Sequence, residues 1–373
     1  MGNSVELSCL LRQQFLLPTH RNNAAETKMS FNDSQKPNAE VESGDRVSPT
    51  SSTSASFRPK AGEWVLVKSL SSIADTLDRD GVLEGLPFMP EMAAHCGKRL
   101  RVKRFANKTC VYAESTYIGQ LKDCVVLQIE ERCDGSDHGG CEMGCQFFWK
   151  TEWLLPDRSN ATEPEQPKSE QPGNDSIVDW LVEKTKTGQQ PIQYRCQATE
   201  LVQIAKPISP FKFRQYVDDH RRDKVALSEI GGFLFSLITK KLTRKSDNLA
   251  GPNLHRTPSE RLRLKIGERV RVKTLADIQQ TLDGNGCNRG LWFDPKEMAQ
   301  FCGKELVVSR LINKLIDENS GKLRIMKQPT VVLSETECSG VFRRFCSRGS
   351  LHFWREIWLE RTLGRSRCRQ TSG

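Results

Sequence analysis

The chain repeats itself, and only its first copy keeps a full set of cysteines. Residues 62–108 align with 267–314 after one inserted residue at Lys296. Gly62-Glu63, Val67-Lys68, Thr76-Leu77-Asp78, Glu91-Met92-Ala93 and Cys96-Gly97-Lys98 recur as Gly267-Glu268, Val272-Lys273, Thr281-Leu282-Asp283, Glu297-Met298-Ala299 and Cys302-Gly303-Lys304. Downstream, Cys133-x7-Cys141-x3-Cys145 ahead of Phe148-Trp149 and Trp153-Leu154 returns as Cys338-x7-Cys346-x3-Ser350 ahead of Phe353-Trp354 and Trp358-Leu359. Two copies of about a hundred residues each are large enough to fold singly, so the pattern specifies a pair of similar small domains and not a solenoid of stacked units. Residues kept in both copies are read as fold positions, and residues kept in one copy as the place to look for chemistry.

Within each copy the pattern is strand-rich. Trp64-Val65-Leu66-Val67 reads as a strand, Ser72 to Leu77 as a short helix capped by a serine, and Asp78-Arg79-Asp80-Gly81 as a turn. A second short helix is expected over Pro90 to His95, closed by Gly97, with further strands from Leu100, over Cys124 to Ile129 and over Phe147 to Trp153. Trp149, Trp153, Trp354 and Trp358 are read as core aromatics, and Cys96 with its counterpart Cys302 as core thiols. Short strands with a helical insertion predict a small bent barrel of SH3-like type, so the expected fold is mainly β: two tandem SH3-like barrel modules.

Composition divides the rest. At 373 residues the chain has room for two or three domains. Residues 1–57 are polar and Ser/Thr-rich and are expected to be disordered, with Met29 an alternative start. The first module is placed at 58–157, a Pro-rich linker at 158–175, a mostly helical segment at 176–242, a basic linker at 243–261, the second module at 262–362 and a basic tail at 363–373. Arg12-Gln13-Gln14 interrupt the apolar stretch that a signal peptide needs, and Glu6 stands where a myristoylation motif wants Ser or Thr. No apolar run approaches the roughly 18 residues of a membrane span. The expectation is a cytoplasmic protein, in which thirteen cysteines point to thiols or metal ligands instead of a disulfide framework.

The strongest site candidate is the loop Arg132-Cys133-Asp134-Gly135-Ser136-Asp137-His138-Gly139-Gly140-Cys141-Glu142-Met143-Gly144-Cys145. Its glycines let the backbone fold tightly around a small object, and thiolates are soft ligands suited to zinc or to an iron–sulfur cluster. The second copy has Ile316, Arg343 and Ser350 where the first has Cys110, His138 and Cys145. Coordinated loss is what a released metal site would show. The expected ligand set is therefore Cys110, Cys133, Cys141, Cys145 and His138, holding zinc at a closed structural site, with Cys110 preferred as the fourth ligand over His138 in its tight glycine loop.

Cys133-Asp134-Gly135-Ser136-Asp137-His138 resembles the CDGSH iron–sulfur signature, but Asp137 is an extra residue and the signature's closely spaced upstream cysteines are missing. Leu86-Pro87-Phe88-Met89-Pro90-Glu91-Met92, Lys108-Thr109-Cys110, Cys133 to Cys141, Phe148-Trp149-Lys150 and Tyr194-Arg195-Cys196-Gln197-Ala198-Thr199-Glu200-Leu201 together resemble a bacterial family marked by a CDGSxHGGC loop and an FWKxEWL-type strand. That resemblance covers most of residues 60–245 and implies boundaries for the fold and the loop, without an activity.

Three functional readings follow. The first is a metal-stabilised binding or scaffold protein for a protein or small-molecule partner. The second is a metal- or thiol-dependent enzyme using the Cys133–Cys145 loop, with Asp134, Asp137 or His138 as acid–base groups; no phosphate-binding glycine loop, nucleophile elbow or zinc-protease helix accompanies it. The third is a nucleic-acid-binding barrel protein. It rests on a net charge of +10, whose positive residues are scattered except at Lys240-Lys241 through Arg244-Lys245.

Overall fold

The computed structural model describes residues 57–113, 116–157, 173–188, 191–243, 248–253 and 256–362. The expected N-terminal segment, the C-terminal tail and most of the Pro-rich linker lie outside the described residues. Within them the protein is mainly β with helices between and around the sheets, and no helix is long and apolar enough to cross a membrane.

Each repeat builds one five-stranded antiparallel sheet. In the first, the spatial order is Phe148–Lys150, Cys124–Leu127, Arg99–Phe105, Trp64–Val67 and Leu154–Pro156; in the second it is Leu351–Arg355, Thr330–Glu337, Glu305–Leu311, Arg269–Val272 and Leu359–Arg361. The last strand of each repeat thus lies beside its first. Both first strands alternate exposed and buried residues, which is what one buried face demands of a period of two. Among the described residues the two edge strands of each sheet do not pair with one another, so the sheets are open.

Local chemistry sets the connections. Ser69 Oγ accepts from Ser72 N at 3.3 Å and Thr274 Oγ1 from Asp277 N at 3.2 Å, so both N-caps start helices, Leu70–Ala74 and Leu275–Gln280. The cap at Ser69 explains why the first helix begins before the expected Ser72. Pro90–His95 is a 3-10 turn, and Gly97 follows it in the left-handed region with φ +73°. One expected strand, Phe147 to Trp153, is interrupted: Thr151–Trp153 turn as a 3-10 helix and the chain leaves as Leu154–Pro156. That turn carries Trp153 into the core. Trp149, Trp153, Trp354 and Trp358 are all fully buried. Phe88 meets Trp153 edge-on at 5.2 Å, as Phe293 meets Trp358 at 5.5 Å, and the indoles of Trp153 and Trp358 donate to Thr76 and Thr281. Cys96 and Cys302 are half-buried and border these cores.

Sequence reasoning missed the hairpin Lys108–Tyr112 with Thr116–Gln120, because its first four residues are all buried and show no alternation. Lys206–Pro207 adds a third strand to it. The segment around it carries helices Asn174–Lys184, Gln197–Ile204, Arg214–Asp223 and Leu227–Thr243. Leu181 and Leu201 enter the core of the first sheet. Gln197 is buried and pairs with the edge strand: its Oε1 accepts from Phe148 N at 2.8 Å, and its Nε2 donates to Phe148 O at 2.9 Å and to Pro87 O at 3.0 Å. Lys108, wholly buried, forms an ion pair with Asp219 on helix Arg214–Asp223, whose last residue, Asp223, accepts from Phe105 N and Arg104 Nε, both at 2.9 Å.

Candidate metal centre

The loop closes on itself before it meets anything else. Cys133 N donates to Cys145 O at 3.0 Å, and His138 N and Gly140 N donate to Gly135 O at 3.1 and 2.7 Å. Gly135 is required at the crossing. Its φ is +72°, and a Cβ there would stand 2.3 Å from the backbone N and O of Cys141. The fold of the loop places Cys133 and His138 inward, and the 3-10 turn Pro90–His95 brings Glu91 to them. Cys133 Sγ lies 3.4 Å from His138 Nε2 and 3.7 Å from Glu91 Oε1, and His138 Nδ1 lies 3.5 Å from the same Oε1. Among the described residues these three donors are the only such group whose ligand atoms all lie within 4.8 Å of one another.

Burial favours the uncharged form of each of the three donors. Burial lifts the Glu91 carboxyl to about 7, helped by the charges of Asp137 and Asp134. Burial holds the His138 imidazole down to about 4 and pushes the Cys133 thiol well up. Two polar atoms remain unsatisfied: Glu91 Oε2 and His138 Nδ1 are buried with no hydrogen-bond partner. Such atoms are costly unless something else meets them.

The second copy meets its carboxylate with its own groups, though His352 Nε2 beside it is left without a hydrogen-bond partner. Cys338 Sγ lies 3.7 Å from Glu297 Oε1, matching Cys133 and Glu91. There, however, Ser339 satisfies the carboxylate through its N–H at 3.0 Å and its hydroxyl at 2.8 Å. Ser339 replaces Asp134, whose ionised side chain has no donor to offer a carboxylate. Arg343 replaces His138 and pairs with Asp294 at 3.1 Å. Burial raises the Glu297 carboxyl, but the His352 ring, its Nε2 3.9 Å away, and the Ser339 hydrogen bonds outweigh it and lower the group, the opposite of Glu91.

The structure distributes the sequence-derived ligand set over two places. Cys133 and His138 meet directly. Cys141 and Cys145 line the adjoining cavity of about 60 Å³, together with Cys196. Cys145 is pushed up to about 12 by burial; Cys141 Sγ accepts from Ile316 N at 3.3 Å. Cys110 lies elsewhere, against Cys346 of the second module. Sequence reasoning overlooked Glu91 as a donor. The signal for Glu91 was available, since Glu91-Met92-Ala93 returns as Glu297-Met298-Ala299, but recurrence was read as packing. The chain matches no protein-family model, no curated protein and no solved structure.

Proposed function

We propose that the protein is a metal-stabilised binding or scaffold protein whose first module holds a zinc ion on Glu91, Cys133 and His138. The observation that carries this reading is the buried meeting of Glu91, Cys133 and His138, their ligand atoms all within 4.8 Å of one another, at a site where the second copy instead sets Ser339 against its carboxylate. The spacing supports it as well. Zinc bonds of about 2.0–2.3 Å set tetrahedral ligand atoms roughly 3.3–3.8 Å apart, and the Cys133 sulfur stands 3.4 and 3.7 Å from its two neighbours. One ion takes one ring nitrogen, Nε2 being the atom beside the sulfur. We assign the fourth position to Cys145, the loop's remaining thiol, whose sulfur lies outside the 4.8 Å group and has to move inward when the ion binds. Cys141 is engaged by Ile316 and Cys110 by Cys346. Four protein ligands leave no open coordination position, the condition of a structural site.

In this reading the modules are duplicated SH3-like barrels. The last-strand-to-first-strand pairing and the 3-10 turn before each final strand support that assignment. An enzyme built on Cys133, with His138 as base and Glu91 behind it, is the weaker reading. A nucleophilic thiol needs its pKa lowered, and burial here raises Cys133 and disfavours the imidazolium that would activate it.

The test is elemental analysis of freshly purified full-length protein beside its variants. About one zinc per chain is expected in the wild type, with loss of metal in Cys133→Ser, His138→Ala and Glu91→Gln. Full metal content in all three variants, or none in the wild type, would overturn the assignment.

A further inference from the structure

The two repeats dock on each other by exchanging contacts, and one of these contacts brings two cysteines together. The second loop lies along the edge of strand Lys108–Tyr112. Ser347 N and Oγ donate to Lys108 O at 3.2 and 2.7 Å, and Arg348 Nη1 donates to Cys110 O at 2.7 Å. In that register Cys110 N donates to Cys346 Sγ at 3.0 Å, and the two side chains share one small buried cluster. The reciprocal crossing has the same form: Glu142 N donates to Lys314 O at 3.0 Å and Ile316 N to Cys141 Sγ at 3.3 Å. There the strand residue is isoleucine, so only one of the two crossings holds a dithiol.

We propose that Cys110 and Cys346 are a peroxide-oxidisable dithiol whose disulfide joins the two modules covalently. The pair is 236 residues apart in the chain and belongs to neither the Glu91–Cys133–His138 centre nor the cores of the two sheets. Four groups act on the Cys346 sulfur. Burial opposes its charge, but the Cys110 thiol, the N–H groups of Arg348 and Cys110 and the Arg348 guanidinium all favour the thiolate and hold it below the ordinary thiol range. A thiolate beside a thiol is the arrangement needed for one sulfur to attack and the other to resolve. A cavity of about 20 Å³ lined by Cys110, Cys338 and Cys346 admits a molecule the size of water, a size hydrogen peroxide approaches.

The chemistry balances with peroxide as the only co-reactant. The Cys346 thiolate attacks one peroxide oxygen; an S–O bond forms, the O–O bond breaks, and hydroxide leaves and is protonated to water. The Cys110 thiol then gives up its proton and its sulfur attacks Cys346. An S–S bond of about 2.05 Å forms, the S–O bond breaks, and the second oxygen leaves as water. The two thiols lose two electrons and two protons in all, and the peroxide is reduced to two waters.

The test uses the full chain treated with stoichiometric hydrogen peroxide, alkylated, digested without reductant and mapped by mass spectrometry. A Cys110–Cys346 linked peptide is expected as the main product, with faster migration on a non-reducing gel because a long loop has been closed. Cys338→Ser should keep both signals. Cys110→Ser should lose them and leave a sulfenic acid at Cys346 that dimedone traps. If Cys110→Ser fails to fold, the wild-type map and Cys338→Ser still decide. A Cys338–Cys346 link as the main product, or Cys110 and Cys346 recovered as separate thiols, would overturn the proposal. Zinc content is read in the same samples, and its loss bears on the metal centre alone.

Discussion

The backbone N–H of Ile316 reaches the sulfur of Cys141 at 3.3 Å, so the loop of the first module is held by a strand of the second. Beside it, Glu142 Oε2 accepts from Lys314 N at 3.0 Å and from Asn313 N. The modules share this seam and are expected to unfold in one transition. Glu142→Ala leaves the two N–H groups without their carboxylate and should cost about 1–2 kcal/mol in denaturant unfolding. Two well-separated transitions in the wild type would contradict the coupling.

The two buried glutamates divide by role. Glu91→Gln should lower zinc content and melting temperature together, because metal binding and folding are linked. Glu297→Gln should leave zinc content unchanged and still destabilise, since Glu297 accepts from the Ser339 N–H and hydroxyl in a buried setting. A chelator should lower the melting temperature of the wild type and of Glu297→Gln, and leave Glu91→Gln unmoved.

In metal-free protein Glu91 and His138 act on stability in opposite senses. The Glu91 carboxyl is raised from 4.5 to about 7, so its contribution is present below 4.5 and lost as pH rises through 7. The His138 imidazole is lowered from 6.5 to about 4, so its contribution is present above 6.5 and lost as pH falls through 4. Each shift corresponds to roughly 3 kcal/mol, and the two offset each other over the shared window. Urea unfolding of the chelated wild type should therefore change little between about pH 4.5 and 6.5. Glu91→Gln should grow more stable with rising pH in that window, and His138→Gln less stable. Parallel profiles for the two variants would refute the offset.

Gly97 and Gly135 both have positive φ, +73° and +72°, yet their surroundings differ. A Cβ on Gly97 meets nothing within 4 Å, so Gly97→Ala should cost only the left-handed backbone, about 1–2 kcal/mol. A Cβ on Gly135 collides with Cys141 backbone atoms at 2.3 Å. Gly135→Ala should cost clearly more and should also reduce zinc content, because the loop cannot close.

The sequence made the local parts legible and the crossings illegible. Alternation at Trp64–Val67, the paired tryptophans and the glycine-rich loop follow from spacing alone, and all are present. Cys133 and His138 fall only five residues apart, yet the sequence reading set His138 behind Cys110 on account of its tight glycine loop, and the folded loop turns the ring inward. Glu91 comes from 42 residues upstream, where no periodicity connects it to the loop. Cys110 was read as a donor to its own module because the second copy lacks it together with His138 and Cys145. The edge of its strand instead receives the other module's loop, a choice made by tertiary packing that leaves no trace in either segment. The contrast between Asp134 and Ser339 was printed in the alignment, but its meaning depends on where the carboxylates of Glu91 and Glu297 end up.

Gln197 has a consequence for how the chain can be cut. Its side-chain amide meets both the donor and the acceptor of Phe148, as a neighbouring strand would, and so ends the first sheet with a single residue. A fragment stopping at residue 157 would keep the sheet and lose this stopper, leaving a bare rim that another copy can extend. Such a fragment is expected to self-associate, with a light-scattering mass that climbs with concentration, whereas a fragment continuing through residue 243 stays the size of one chain. The helical segment is in that sense a built-in safeguard on solubility, carried by the protein against its own edge.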